Sequence, residues 1–281
     1  MNFKTIIIFF FISVLFFSCE KDVNNEVNED FNRSELMLNW LDNIIVPAYN
    51  DFYSSLINLE EEVNMFIATP SVDLLDNVSQ SWLDSYKIWQ HVEMFDIGLA
   101  EVINYKGKMN IYPTDLELIS QNIMSENYDL NNNNNFDARG FPAIDYMLHG
   151  LAENSDEIVD IYLSGSSYSD YLSNLVYSMI YNTNLIINDW TIYRDDFLNS
   201  TDNTATSSVN KMTNDFIYYF EKGLRANKIG IPAGIFSPNP LPNTVEAYYK
   251  EDVSKYLVLE ALLAAKNFFS GKHYSSDVYG E

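Results

Sequence analysis

The chain of 281 residues holds one cysteine, three histidines and ten glycines, and only 16 lysines and arginines stand against 40 aspartates and glutamates. A single cysteine excludes an intrachain disulfide, a zinc–thiolate cluster and paired-cysteine redox chemistry. The histidines form no HExxH, the glycines form no phosphate-cradling loop, and GxSxG is missing. His91-Val92-Glu93 has the HxE spacing of zinc deaminases, yet the cysteines that would complete such a site are lacking. A formal net charge of −24 repels nucleic acid and anionic lipid headgroups, so no nucleic-acid partner is expected. With 47% hydrophobic residues the acidity does not mean disorder, because there is ample apolar surface to bury.

The only long apolar run is at the start. Lys4 precedes an unbroken stretch from Ile6 to Phe17, then Ser18-Cys19. That run is short for a membrane span and has the charged start, apolar middle and small-residue end of a secretory signal. Closing on Cys, it resembles a bacterial lipobox, with cleavage before Cys19 and acylation of its thiol, although Phe16 stands where Leu is commoner. The expected layout is a lipoprotein signal peptide over 1–18 and a polar, Asn-rich tether over 19–33. Attachment to the membrane is then through the lipid and not through a basic surface.

From Ser34 onward the apolar spacing is helical. Leu36, Trp40, Ile44 and Ile45 open it, and Pro47 should kink or interrupt that helix. Thr114-Asp115-Leu116-Glu117 has the spacing of a capping box. Helical patterns also cover about 156–163, 168–197, 208–227 and 244–270, while Ile229–Pro242 holds four of the eight prolines and reads as a long ordered loop. The fold is therefore all-α, with an N-terminal helical bundle over 34–152 and a C-terminal one over 153–274.

Two stretches invite a functional reading. In GFPAIDYMLHG, Pro142 suits the first helical position, Asp145 the first turn, and His149-Gly150 a helix end. Capping thus accounts for every residue, but Asp145 and His149 also share one face at i, i+4 and could supply two ligands of a metal site. The second stretch places Trp82, Tyr86, Trp89 and Glu93 on one helical face. An aromatic stripe is ordinary core. A carboxylate continuing it must be paired or neutralised if buried, by Arg139, Arg225 or a bound cation, or else lie solvated at the helix edge.

These residues, in their order, resemble the imelysin-like lipoproteins, a group named for an insulin-cleaving membrane protease and related to iron-regulated proteins. The resemblance rests on Pro47-Ala48-Tyr49, Trp82…Trp89…Glu93, Tyr112-Pro113, Arg139-Gly140-Phe141…Ile144-Asp145-Tyr146-Met147-Leu148 and Lys228-Ile229-Gly230-Ile231-Pro232-Ala233-Gly234, and spans roughly 34–272. It implies two helical bundles with a cleft at their junction, and a role in iron uptake on the periplasmic or cell-surface face of the outer membrane. The implied cleft holds Trp82, Trp89, Glu93, Arg139, Gly140, Asp145, Tyr146 and His149. The family's GxHxxE motif is degenerate here: Gly140 is kept, Pro142 replaces the histidine and Asp145 the glutamate. Proline can neither ligate a metal nor act as a base. The implied function is a non-catalytic binding component for a metal ion, an iron chelate or a peptide. Two alternatives stay open: an accessory of an outer-membrane uptake receptor, and a metallopeptidase using Asp145, Glu93 and His149.

Overall fold

The computed structural model describes residues 32–280, so the signal peptide, Cys19 and all but the end of the tether lie outside the described residues. Arg33–Glu281 form one compact unit, and its described residues are helical with no strand, as the spacing predicts; a lone antiparallel bridge joins Lys272 to Tyr279. In order, the helices are α1 (Arg33–Leu38), a π-helical turn (Asn39–Ile45), α2 (Val46–Ala68), α3 (Val72–Trp89), α4 (Leu99–Val102), α5 (Tyr105–Met109), α6 (Leu116–Ser125), α7 (Gly140–His149), α8 (Ser155–Leu163), α9 (Ser167–Asn199), α10 (Ser208–Tyr218), a second π segment (Tyr219–Gly230) and α11 (Ser254–Phe269). No described helix is long and apolar enough to cross a membrane.

Pro47 bends local geometry as its chemistry requires. Lacking an N–H, it cannot satisfy the carbonyl four residues back, that of Asn43. The chain ahead of it winds as π-helix, and the Asn43 carbonyl instead accepts from the backbone N–H of Tyr274 at 2.8 Å. Asn39 reinforces this by donating to the Gly271 carbonyl at 3.1 Å. The proline thereby creates a docking point for the C-terminal tail.

Helix α2 packs along both α3 and α9, and α7 and α8 close one side. Their inner faces form a single aromatic-rich core that draws on both halves of the chain. Phe141 is its hub. The Tyr86 ring stacks on it at 4.2 Å with planes 3° apart, Phe52 and Trp89 lie 6.0 and 6.3 Å away, and Trp82 donates its indole N–H to the Phe141 carbonyl at 3.2 Å. Several sequence boundaries shift. Asp115, and not Thr114, caps α6, accepting from the N–H groups of Glu117 and Leu118, because Thr114 is turned to the Asp137 carbonyl. Helix α7 begins at Gly140, so Pro142 is its third residue and Asp145 falls beyond the first turn. Helix α11 starts only at Ser254, since the segment before it is held elsewhere by the bonds described next.

Candidate functional site

Helix α3 ends at Trp89, and the chain turns so that Glu93 points into the protein with only 8% of its surface exposed. Neither arginine expected beside it is there. Arg225 is exposed and pairs with Glu221 at 2.6 Å. Arg139 is buried but spends its guanidinium on the carbonyls of Gly107, Leu130 and Asn132, and burial lowers its pKa to about 10, with Asp129 opposing. Glu93 pairs instead with Lys228, Nζ to Oε2 at 2.8 Å.

The second π segment explains how Lys228 gets there. Tyr219 and Lys228 are nine residues apart. In an α-helix that separation puts them on opposite sides, whereas nine residues at about 4.4 per π turn complete two turns and bring both to one face. Both side chains accordingly lie against Glu93.

A second carboxylate completes the cluster. Glu246, 1% exposed, accepts from Lys228 at 2.5 Å and from Asn110 at 2.6 Å, with Gln90 at 3.4 Å. Asn110 bridges, donating also to Glu93 at 3.1 Å, and its own oxygen accepts from the Tyr86 hydroxyl at 2.6 Å. Burial pulls the Lys228 ammonium toward neutrality, but Glu246 and Glu93 outweigh it and hold its pKa above the ordinary value. Burial pushes the Glu246 carboxyl up, against the pull of Lys228 and with the help of Glu93. Burial, then the two carboxylates, hold the phenols of Tyr112 and Tyr219 neutral. Two carboxylates thus face one ammonium in a site closed to solvent. Polar atoms there are also left over: Gln90 Oε1 and Glu246 Oε2 are buried without a hydrogen bond. Each such orphan costs about 1–3 kcal/mol if nothing fills it.

Beside this cluster lies a cleft of about 400 Å³ walled by Tyr112, Pro142, Asp145, Tyr248 and Tyr249, with Val245 and Ala247 flanking Glu246 on its rim. Gly140 makes the close packing possible. Its φ is +71°, and a Cβ there would sit 2.1 Å from the Met109 carbonyl, next to Asn110. Asp145 is fully engaged: Oδ2 accepts from the Tyr249 N–H at 2.8 Å, and Oδ1 from the Lys250 N–H at 2.9 Å and from His149 Nδ1 at 2.9 Å. It clasps the segment that carries Glu246. His149 Nε2 meets Ser79 Oγ at 2.8 Å. That Asp–His–Ser line has the connectivity of a hydrolase triad. Ser79, however, sits buried in the middle of α3, where the helix consumes the backbone N–H groups an oxyanion would need. It pins α3 to α7.

Of the residues singled out from sequence, Trp82 and Trp89 are core, Arg139 and Gly140 shape the backbone, Tyr146 packs on Tyr249 at 5.1 Å, and Glu93 enters the cluster. Asp145 and His149 pair at 2.9 Å, but Glu93 belongs to the Lys228 cluster and does not join them. Among the described residues no three His, Cys, Asp or Glu side chains converge to hold a metal ion. Sequence reasoning missed Lys228, Glu246, Asn110 and Tyr219. The available signal was a lysine inside Ala226–Pro232, with Tyr219 nine residues before it, a π and not an α interval.

Residues 45–276 match the sequence model of the imelysin family. The chain is 23% identical over 117 residues to iron-regulated protein A of Synechococcus elongatus; the match covers 41% of this chain and spans about a third, 31%, of that relative. The fold is similar to that of a protein from Parabacteroides distasonis named as an iron-regulated protein A precursor, with a TM-score of 0.68 at 15% identity, over 89% of this chain and 76% of that one. It is also similar to an imelysin-like protein from Psychrobacter arcticum, with a TM-score of 0.60 at 17% identity, over 86% and 76%.

Proposed function

The chain belongs to the imelysin family, and from that premise we propose that it is a non-catalytic, lipid-anchored binding component of iron or metal uptake, working on the periplasmic or cell-surface side of the outer membrane. The observation that carries the reading is the sealed Glu93–Glu246–Lys228 cluster beside the tyrosine-walled cleft. Two carboxylates against one ammonium, behind three tyrosines, favour a ligand with positive character. The cleft wall offers a single carboxylate, Asp145, already engaged by backbone N–H groups, and no histidine, so a cation bound there is carried on an organic framework that supplies its own ligands. The lipobox-like Ile6–Cys19 supports the anchor, and the named relatives support the link to iron.

Peptidase chemistry has no carrier in this arrangement. Pro142 stands in the motif's histidine position, and both oxygens of Asp145 are taken by backbone N–H groups and His149. The accessory alternative draws on the loop over residues 231–241, where Ile235 and Phe236 are largely exposed, as a contact for an uptake receptor. The deciding experiment titrates the chain with ferric and ferrous salts, haem and iron-loaded siderophores, following the melting temperature, with casein cleavage assayed in parallel. A rise with a chelate that is lost in Glu93→Gln supports binding. No shift with any of them overturns it, and metal-dependent cleavage restores the peptidase.

A further inference from the structure

We propose that the outer face of α11 lies on the bilayer surface into which the acylated Cys19 is inserted. The exposed positions of that helix are Lys255, Tyr256, Leu259, Leu262, Leu263, Lys266 and Phe269, ending in Ser270. Tyr256, Leu259 and Phe269 are 60, 51 and 81% exposed. No acid occurs among these positions, in a chain where acids outnumber bases 40 to 16. The one carboxylate of the helix, Glu260, is turned aside to His91 at 2.7 Å. A face of leucines and aromatics flanked by lysines and cleared of carboxylates fits the headgroup–acyl boundary of a bilayer, where lysine stems snorkel and apolar side chains insert.

The point where the chain leaves the described residues selects this occupant. Trp40, seven residues or about 10 Å along the helix from Arg33, packs its ring 5.3 Å from Phe268. Helix α10 packs on α1, and its Phe216 stacks on Phe269 at 6.5 Å. The start of α1 and the C-terminal end of α11 are therefore neighbours. Residues 20–32 can span at most about 45 Å when extended, which keeps this face within reach of a lipid on Cys19. The inference rests on the proposed anchor for its orientation and on nothing in the ligand reading.

The test uses the full chain, processed in a bacterium and reconstituted into phosphatidylcholine vesicles, with Leu263→Trp as the probe. The four native tryptophans are 8% exposed or less where they line the core, and give a steady background. Brominated phosphatidylcholine should quench the added emission, and amide exchange over α11 should slow relative to chain released from the vesicles. Tryptophan at exposed Met124 on α6 serves as the comparison and should keep its emission. Flotation with the vesicles but no selective quenching at position 263 overturns the inference while leaving the anchor intact. Failure to float overturns the anchor and this inference together. Protection of α11 in solution that grows with protein concentration would give the face to a second copy of the chain instead.

Discussion

Replacing Lys228 by methionine removes the only cation from the buried cluster and keeps the volume of its stem. Lys228 lies 2.8 Å from Glu93 and 2.5 Å from Glu246. At an effective dielectric near 20, each contact has a gross Coulomb energy of about 6 kcal/mol, most of which offsets the cost of taking the charges out of water. The loss on breaking the pair is instead set by two carboxylates stranded without a counter-charge, about 3–5 kcal/mol. For a domain of this size that lowers the melting temperature by about 6–20 °C. Two controls separate this from general damage. Lys222→Met, on the exposed face of the same π segment, should change stability by less than about 0.5 kcal/mol. Adding Glu246→Gln to Lys228→Met should recover part of the loss, because one stranded charge disappears. The pH dependence has a definite sign. Without Lys228 the Glu246 carboxyl, already raised by burial, loses the ammonium that pulls it down, so the folded state binds more protons there, and stability rises as pH falls from neutrality toward 4.5. In the wild type the raised Lys228 pKa means its contribution is complete below the unfolded value and is lost only as pH rises through the folded one, above 10.5. A Lys228→Met variant melting within about 2 °C of wild type between pH 5 and 8 would refute the buried ion cluster.

Three further outcomes are expected. Gly140→Ala forces a side chain into a positive-φ position with its Cβ 2.1 Å from the Met109 carbonyl, and should cost about 3–5 kcal/mol in urea denaturation, since the obstacle is backbone and cannot swing aside. Asp145→Ala leaves the Tyr249 and Lys250 N–H groups without their acceptor; stability should fall by about 2–4 kcal/mol and exchange over 245–250 should quicken, while metal content stays equal to wild type. A stoichiometric metal lost in that variant would show that Asp145 is a ligand. Asp215 is pushed up to about 6 by burial, with Asp96 and Glu101 adding to it; its contribution to stability is present below the unfolded value near 3.8 and fades as pH rises to 6, so Asp215→Asn should flatten the stability profile between pH 4 and 6.

Much of the architecture is legible in the sequence because α-helical spacing is a local property. The stripe Trp82, Tyr86, Trp89 reads as core and is core. What it did not reveal is the partner of Glu93. Charge alone offered Arg139 and Arg225, but a buried guanidinium can be satisfied by carbonyls as well as by a carboxylate, and only the fold decides between them. Lys228 was hidden because the expected period was 3.6, under which it points away from Tyr219. Glu246 was hidden because the apolar spacing over 244–270 reads as one helix, whereas the helix starts only at Ser254 and the position of Glu246 is set by long-range bonds to Asp145 and Lys228.

The degenerate motif gains sense from these contacts. Gly140 is required because the backbone beside it leaves no room for a side chain, a requirement independent of any ligand. Proline in the next-but-one position needs no hydrogen-bond partner within the opening turn of α7 and fills the cleft wall with apolar surface. The carboxylate at position 145 fastens the segment bearing Glu246 over Lys228. Aspartate suffices for that task because the backbone N–H groups of Tyr249 and Lys250 come to it. The same clasp would couple the ligand proposed for the cleft to the ion cluster. Displacing Tyr249 from Asp145 is expected to loosen Glu246, three residues away, and with it one of the two charges holding Lys228 in the core. Ligand affinity and the protection of residues 245–250 should therefore change together in Asp145→Asn, which keeps one acceptor oxygen and surrenders the charge; a variant that alters exchange over the segment with no effect on binding would separate the clasp from the cleft.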